Sequence, residues 1–248
     1  KKKDMCGIVG AIGRRNVSGI LLEGLKRLEY RGYDSAGLAV ISRKDKNLAC
    51  VKAVGKVQAL EDKVKESPVD GAIGIAHTRW ATHGKPTHEN AHPHLSHDRL
   101  ALIHNGIIEN FLILKEELLK KGYQFKTETD SEVIVHLIHM FLNEEEMPFI
   151  DAVSRTISLL DGAYGLAVID KEDPKRIIVA RSGSPLIIGV GIGENFIASD
   201  PAALGQVTDR FIYLEEGDIA EIKAEKIRIF NGGEKVKREI VRLNQNLE

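Results

Sequence analysis

The chain is poor in cysteine and tryptophan and has almost no net charge. Cys6 and Cys50 are its only cysteines among 248 residues. Two thiols cannot build a disulfide framework, and a reducing cytoplasm is the expected location. Thirty-five Lys and Arg stand against 36 Asp and Glu, a formal net charge of -1. That balance gives no electrostatic basis for partnership with nucleic acid or an anionic membrane surface. No apolar run approaches the roughly 20 residues of a membrane-spanning helix. The charged start, Lys1 to Asp4, runs straight into a strand-like segment and lacks the apolar stretch of a secretory signal. Low-complexity stretches, internal repeats and linker-like composition shifts are also missing. What remains is 43% hydrophobic and 29% charged, as expected of a chain with a packed core.

The pattern along the chain places strands at both ends and helices between. Cys6 to Ile12 reads as a buried strand, and Asn16 to Leu28 has helical spacing, with Gly32 as a stop. Residues 37–42 and 49–54 read as a strand pair around a charged turn, and Cys50 within the second is a packing residue. A helix is expected over 56–66, and strands over 73–78 and 100–104. Between them lies a long polar segment, Arg79 to Asp98, rich in His, Thr, Asn and Pro. Helical patterns cover 110–121, 131–142 and 149–160. Strands follow at 164–169, 177–180, 186–190, 196–198, 211–214, 218–222 and 227–230, with a short helical turn at 200–204. Pattern alone supports a layered α+β fold and leaves the topology open.

Four segments carry candidate chemistry. In Met5-Cys6-Gly7-Ile8-Val9-Gly10, a cysteine opening a buried strand is either a small core residue or a nucleophile at a mature N-terminus. A free α-amine has a pKa of about 7.7–8.0. An N-terminal cysteine therefore carries its own general base. His77-Thr78-Arg79-Trp80-Ala81-Thr82-His83-Gly84 puts an arginine at a strand end beside the sole tryptophan. Arg79 is either a solvated charge or a fork that grips a carboxylate with two parallel bonds, in a loop able to close over a small substrate. His104-Asn105-Gly106 is a turn, or an Asn side chain and a Gly N–H aimed at a developing oxyanion. Thr127 to Glu132 precedes an apolar helix. There Asp130 or Ser131 is a helix cap, or a carboxylate in this segment receives a substrate ammonium.

Taken in order, these blocks resemble one family. They are joined by Arg27 to Gly37, Asn90 to His94, Gly162 to Gly165 and Ala180 to Leu186. The chain resembles the glutaminase domain of the glutamine–fructose-6-phosphate aminotransferases, class II glutamine amidotransferases of the N-terminal-nucleophile hydrolase type. The resemblance implies an α+β fold, a four-layer αββα sandwich. It implies Cys6 as nucleophile with its α-amine as base, and Asn105 and Gly106 as the oxyanion hole. Arg79 and Asp130 would hold the α-carboxylate and α-ammonium of L-glutamine, and Trp80, Thr82 and His83 would line its mobile loop. Glutamate and ammonia form through a γ-glutamyl thioester, with no cofactor and no metal. In the full-length enzyme a sugar-phosphate isomerase domain uses the ammonia on fructose 6-phosphate in amino-sugar synthesis, and a homodimer is expected. On this reading residues 6–242 are the amidotransferase domain. Residues 1–5 are a tag or unprocessed leader, 243–248 a linker or tag, and the isomerase domain is absent. The alternatives are the glutaminase domain of a phosphoribosyl amidotransferase or asparagine synthetase, a non-catalytic binding module, or a metal-dependent hydrolase built on His77, His83, His88, His92, His94 and His97.

Overall fold

The computed structural model describes residues 6–80 and 84–244. The chain begins with β1 (Gly7–Ile12), α1 (Ser18–Leu28), β2 (Ser35–Ser42), β3 (Leu48–Val54), α2 (Val57–Glu66) and β4 (Gly71–Arg79). Then come β5 (His94–Ser96), β6 (Leu100–Asn105), α3 (Phe111–Lys120), α4 (Glu132–Asn143), α5 (Phe149–Ile157), β7 (Tyr164–Asp170) and β8 (Asp173–Ser182). The rest is β9 (Ile187–Val190), β10 (Asn195–Ala198), a short 3-10 turn at Pro201–Leu204, β11 (Arg210–Tyr213), β12 (Asp218–Ile222), β13 (Ile227–Asn231), β14 (Glu234–Val236) and β15 (Ile240–Arg242).

Two antiparallel sheets result. One runs β15-β11-β9-β10-β1-β4-β2-β3, and the other β14-β13-β12-β8-β7-β6-β5. The period of two along each strand sorts side chains into layers. In β1, Val9 and Ala11 pack with Leu21 and Leu25 of α1, while Ile8 and Ile12 point the other way. In β6, Leu100 and Leu102 pack with Val133 and Leu137 of α4, while Ala101 and Ile103 point the other way. Ile8, Ile12, Ile75, Ala101 and Ile103 thus meet in one core between the sheets. The order is helices, sheet, sheet, helices: the expected αββα sandwich. Ile8, Ile75 and Ile103 are fully buried, each stabilising the fold by about 1.5–3 kcal/mol.

The polar segment after Arg79 contains a strand and several buried side chains: β5 pairs with β6, and Asn90, Ala91, His92 and His94 are buried. Gly37 explains part of this. Its position on β2 lies under the His92 carbonyl, and a Cβ there would overlap that oxygen. Two late strands, β14 and β15, carry too few alternating apolar residues to be read from sequence. β15 pairs with β11. Among the described residues no helix is long and apolar enough to cross a membrane.

Candidate active site

Strand parity gathers the candidate residues. Cys6 shares the parity of Ile8, His77 and Arg79 that of Ile75, and Asn105 that of Ile103. All four therefore lie on the facing inner sides of the two sheets, at one end of the sandwich. β1 and β4 are hydrogen-bonded neighbours, with Gly7 opposite Thr78 and Ile8 opposite His77. That register brings Cys6 to the start of the Arg79–Trp80 segment.

The contacts are specific. Cys6 Sγ accepts from the Trp80 backbone N–H at 3.2 Å and lies 3.5 Å from the Trp80 carbonyl oxygen. The Trp80 ring is partly exposed. Asn105 crosses from the other sheet, and its Nδ2 donates to the Cys6 carbonyl oxygen at 3.0 Å. Gly106 follows with φ +115°, a conformation L side chains rarely adopt. A Cβ at Gly106 would overlap the Ala163 carbonyl. A cavity of about 780 Å³ opens beside Cys6 and Asn105, lined also by Arg181, Ser184 and Asp200.

Asp130 and Ser131 do not cap α4. The Ser131 side chain makes no cap hydrogen bond. Its hydroxyl pairs with His104 Nδ1 at 2.8 Å, and His104 Nε2 lies 3.2 Å from the Ala163 carbonyl. Asp130 Oδ2 accepts from the Ile108 backbone N–H at 2.7 Å. Both side chains therefore hold the segment that carries Asn105 and Gly106. Tertiary partners outcompete the local capping chemistry that the sequence offers. Arg79 is buried, and its guanidinium donates to the carbonyls of Lys85 at 3.1 Å and Gly84 at 3.5 Å. It thereby ties down the return of the loop. Thr82 and His83 lie outside the described residues, as do Lys1 to Met5.

The histidines form a packed cluster. His77 stacks on His92 at 4.0 Å between ring centroids, and His94 lies tilted against His92 at 4.4 Å. His92 Nδ1 accepts from the His104 N–H at 3.2 Å, and His94 Nε2 pairs with the Thr129 hydroxyl at 3.0 Å. Burial pushes His92 and His94 well below the usual imidazole pKa. Among the described residues no group of three or more His, Cys, Asp or Glu side chains is placed to hold a metal ion. The placement of His77 was legible within the 77–84 block, but its bond to Asn105 was not. The cavity residues Arg181 and Ser184 were visible only as part of the 180–186 block, and Asp200 only as part of a helical turn.

Two facing antiparallel sheets, helices outside, and a cysteine opening a central strand define a fold of the N-terminal-nucleophile hydrolase type. Residues 77–206 match the family model described as a glutamine amidotransferase domain. The chain belongs to this family: it is a glutamine amidotransferase domain of class II. Among curated proteins it is 58% identical to the glutamine–fructose-6-phosphate aminotransferase (isomerizing) of Idiomarina loihiensis, over 96% of this chain and 39% of that protein. It is 56% identical to the protein of the same name from Pseudomonas putida, over 98% of this chain and 40% of that one. The chain thus spans about two fifths of the length of these relatives. Among solved structures it resembles the glutamine phosphoribosylpyrophosphate amidotransferase of B. subtilis, with a TM-score of 0.77 and 28% identity over 91% of this chain and 49% of that chain. A glutamine aminotransferase class-II domain protein from Silicibacter pomeroyi shares the fold, with a TM-score of 0.62 and 18% identity, covering 91% of this chain and 99% of that one.

Proposed function

We propose that this chain is the ammonia-supplying half of an enzyme that makes glucosamine 6-phosphate from fructose 6-phosphate. In the proposed reaction the Cys6 α-amine takes the thiol proton, and Sγ attacks the γ-carbonyl carbon of L-glutamine. Asn105 Nδ2 and the Gly106 N–H stabilise the tetrahedral oxyanion. The resulting ammonium returns its proton to the leaving nitrogen, ammonia departs, and a γ-glutamyl thioester remains. Water then attacks the thioester, glutamate leaves and the thiol is restored. Arg79 holds the α-carboxylate, Asp130 the α-ammonium, and Trp80, Thr82 and His83 cover the substrate. Residues 6–242 form the glutaminase unit. The ammonia passes to a sugar-phosphate isomerase domain in a cytoplasmic homodimer.

One observation carries the reading: the Asn105 carboxamide of one sheet meets the Cys6 main chain of the other, 3.0 Å away. Identities of 56–58% with the fructose-6-phosphate enzymes, against 28% with the phosphoribosyl enzyme, favour the sugar acceptor. A test of substrate binding is Arg79→Ala. A charge-assisted clamp contributes about 1.5–3 kcal/mol. The glutamine KM should therefore rise about 10- to 100-fold while kcat falls less. An unchanged KM would remove Arg79 from the carboxylate site.

A further inference from the structure

We propose that His77 is a positioning residue, one that orients the Asn105 carboxamide so that its N–H end faces Cys6. The inference rests on the reading of Asn105 as an oxyanion donor. It adds a group that acts through the Asn105 side chain.

An asparagine side chain has two ends of similar size and opposite polarity. If they are exchanged, an oxygen replaces the N–H donors beside Cys6 and repels both the Cys6 carbonyl and any oxyanion forming there. Something must therefore distinguish the two ends. Asn105 Nδ2 donates to the Cys6 carbonyl, which can only accept. On its other side, Asn105 Oδ1 lies 2.9 Å from His77 Nε2. An amide oxygen only accepts, so the ring must donate through Nε2–H. The Cys6 carbonyl selects the N–H end of the amide, and the His77 Nε2–H bond holds Asn105 Oδ1 on the opposite side, away from the site.

The ring is well placed to do this. It is almost wholly buried, and burial pushes its pKa down to about 3. It therefore stays neutral in the working range and brings no positive charge beside the thiol. Its rotation is restrained by the stack on His92, with the rings 18° from parallel. His92 is held in turn by the His104 backbone N–H. His104 directly precedes Asn105 on β6. The contacts form a closed circuit from β6 through two imidazoles back to β6, which restrains the Asn105 side chain.

The test compares glutamine kcat and KM, with thermal midpoints, in two backgrounds. His77→Leu removes the donor while filling much of the ring's space. His77→Gln restores a side-chain N–H. Losing one preorganised oxyanion donor costs about 10²–10³ in kcat. Release of the amide should cost up to about 100-fold for His77→Leu, with KM within about 3-fold. His77→Gln should recover at least about 10-fold of that loss. In the Asn105→Ala background His77→Leu should cost less than about 2-fold more, because coupled groups are non-additive. If Asn105→Ala itself kept full activity, the oxyanion reading would fail before this one was reached. If Asn105→Ala were impaired but His77→Leu lost the same factor in both backgrounds, His77 would be acting elsewhere and the proposal would fall. A His77→Gln enzyme no better than His77→Leu, at equal thermal midpoints, would also overturn it.

Discussion

Cys6→Ala lowers glutamate release from glutamine by about 10⁴-fold or more, since no covalent intermediate can form. The comparison that gives this result meaning is Cys50→Ala. Cys50 sits on β3 against the core between the sheets, and burial pushes its thiol pKa upward. A thiol held protonated is a poor nucleophile. Activity within about 2-fold of the parent is therefore expected for Cys50→Ala, because the variant touches none of the groups assigned to the reaction. A glutaminase assay on both variants checks the pair. If Cys6→Ala retained activity and Cys50→Ala lost it, the nucleophile would be misassigned.

The second large effect is at Gly106. Its φ of +115° is strained for any L side chain, and an added Cβ would overlap the Ala163 carbonyl. The segment cannot retreat cheaply. The Ile107 carbonyl accepts from the Ala163 N–H at 3.0 Å, and the Ile108 N–H is bound by Asp130. Gly106→Ala must therefore displace the backbone N–H assigned to the oxyanion. We expect kcat to fall about 10²–10³-fold and stability to drop by about 1–3 kcal/mol. Steady-state kinetics and denaturant unfolding measure the two losses separately. Full activity in Gly106→Ala would show that this N–H plays no part in the chemistry.

Much of this arrangement is legible in the sequence, for a simple reason. Alternation in β1, β4 and β6 states which residues share a face, and the sheet pairing then brings those faces together. Ile8, Ile75 and Ile103 mark the inner side, and Cys6, His77 and Asn105 follow by counting in twos. The local chemistry of Asp130 and Ser131 was ambiguous, because the same short polar side chains suit caps and sites alike. Only the fold shows that Ser131 reaches His104 and Asp130 reaches Ile108. The buried histidines were misleading for a related reason. His92 and His94 lie in a polar segment without strand-like alternation, and its burial depends on contacts distant in sequence, such as the close approach of the His92 carbonyl to Gly37. Nothing in the spacing of His77 and Asn105, 28 positions apart, announces their hydrogen bond.

The proposed chemistry requires an amino group released at the residue that also carries the attacking sulfur. The direct measurement is glutamate release by two preparations, one beginning at Cys6 and one in which Met5 is still joined to it, each verified by intact mass. An amide nitrogen cannot serve as the base, and general-base assistance contributes about 10²–10⁴-fold. The chain beginning at Cys6 should be faster by that order. Equal rates from the two preparations would contradict the assignment of the Cys6 amine as the base.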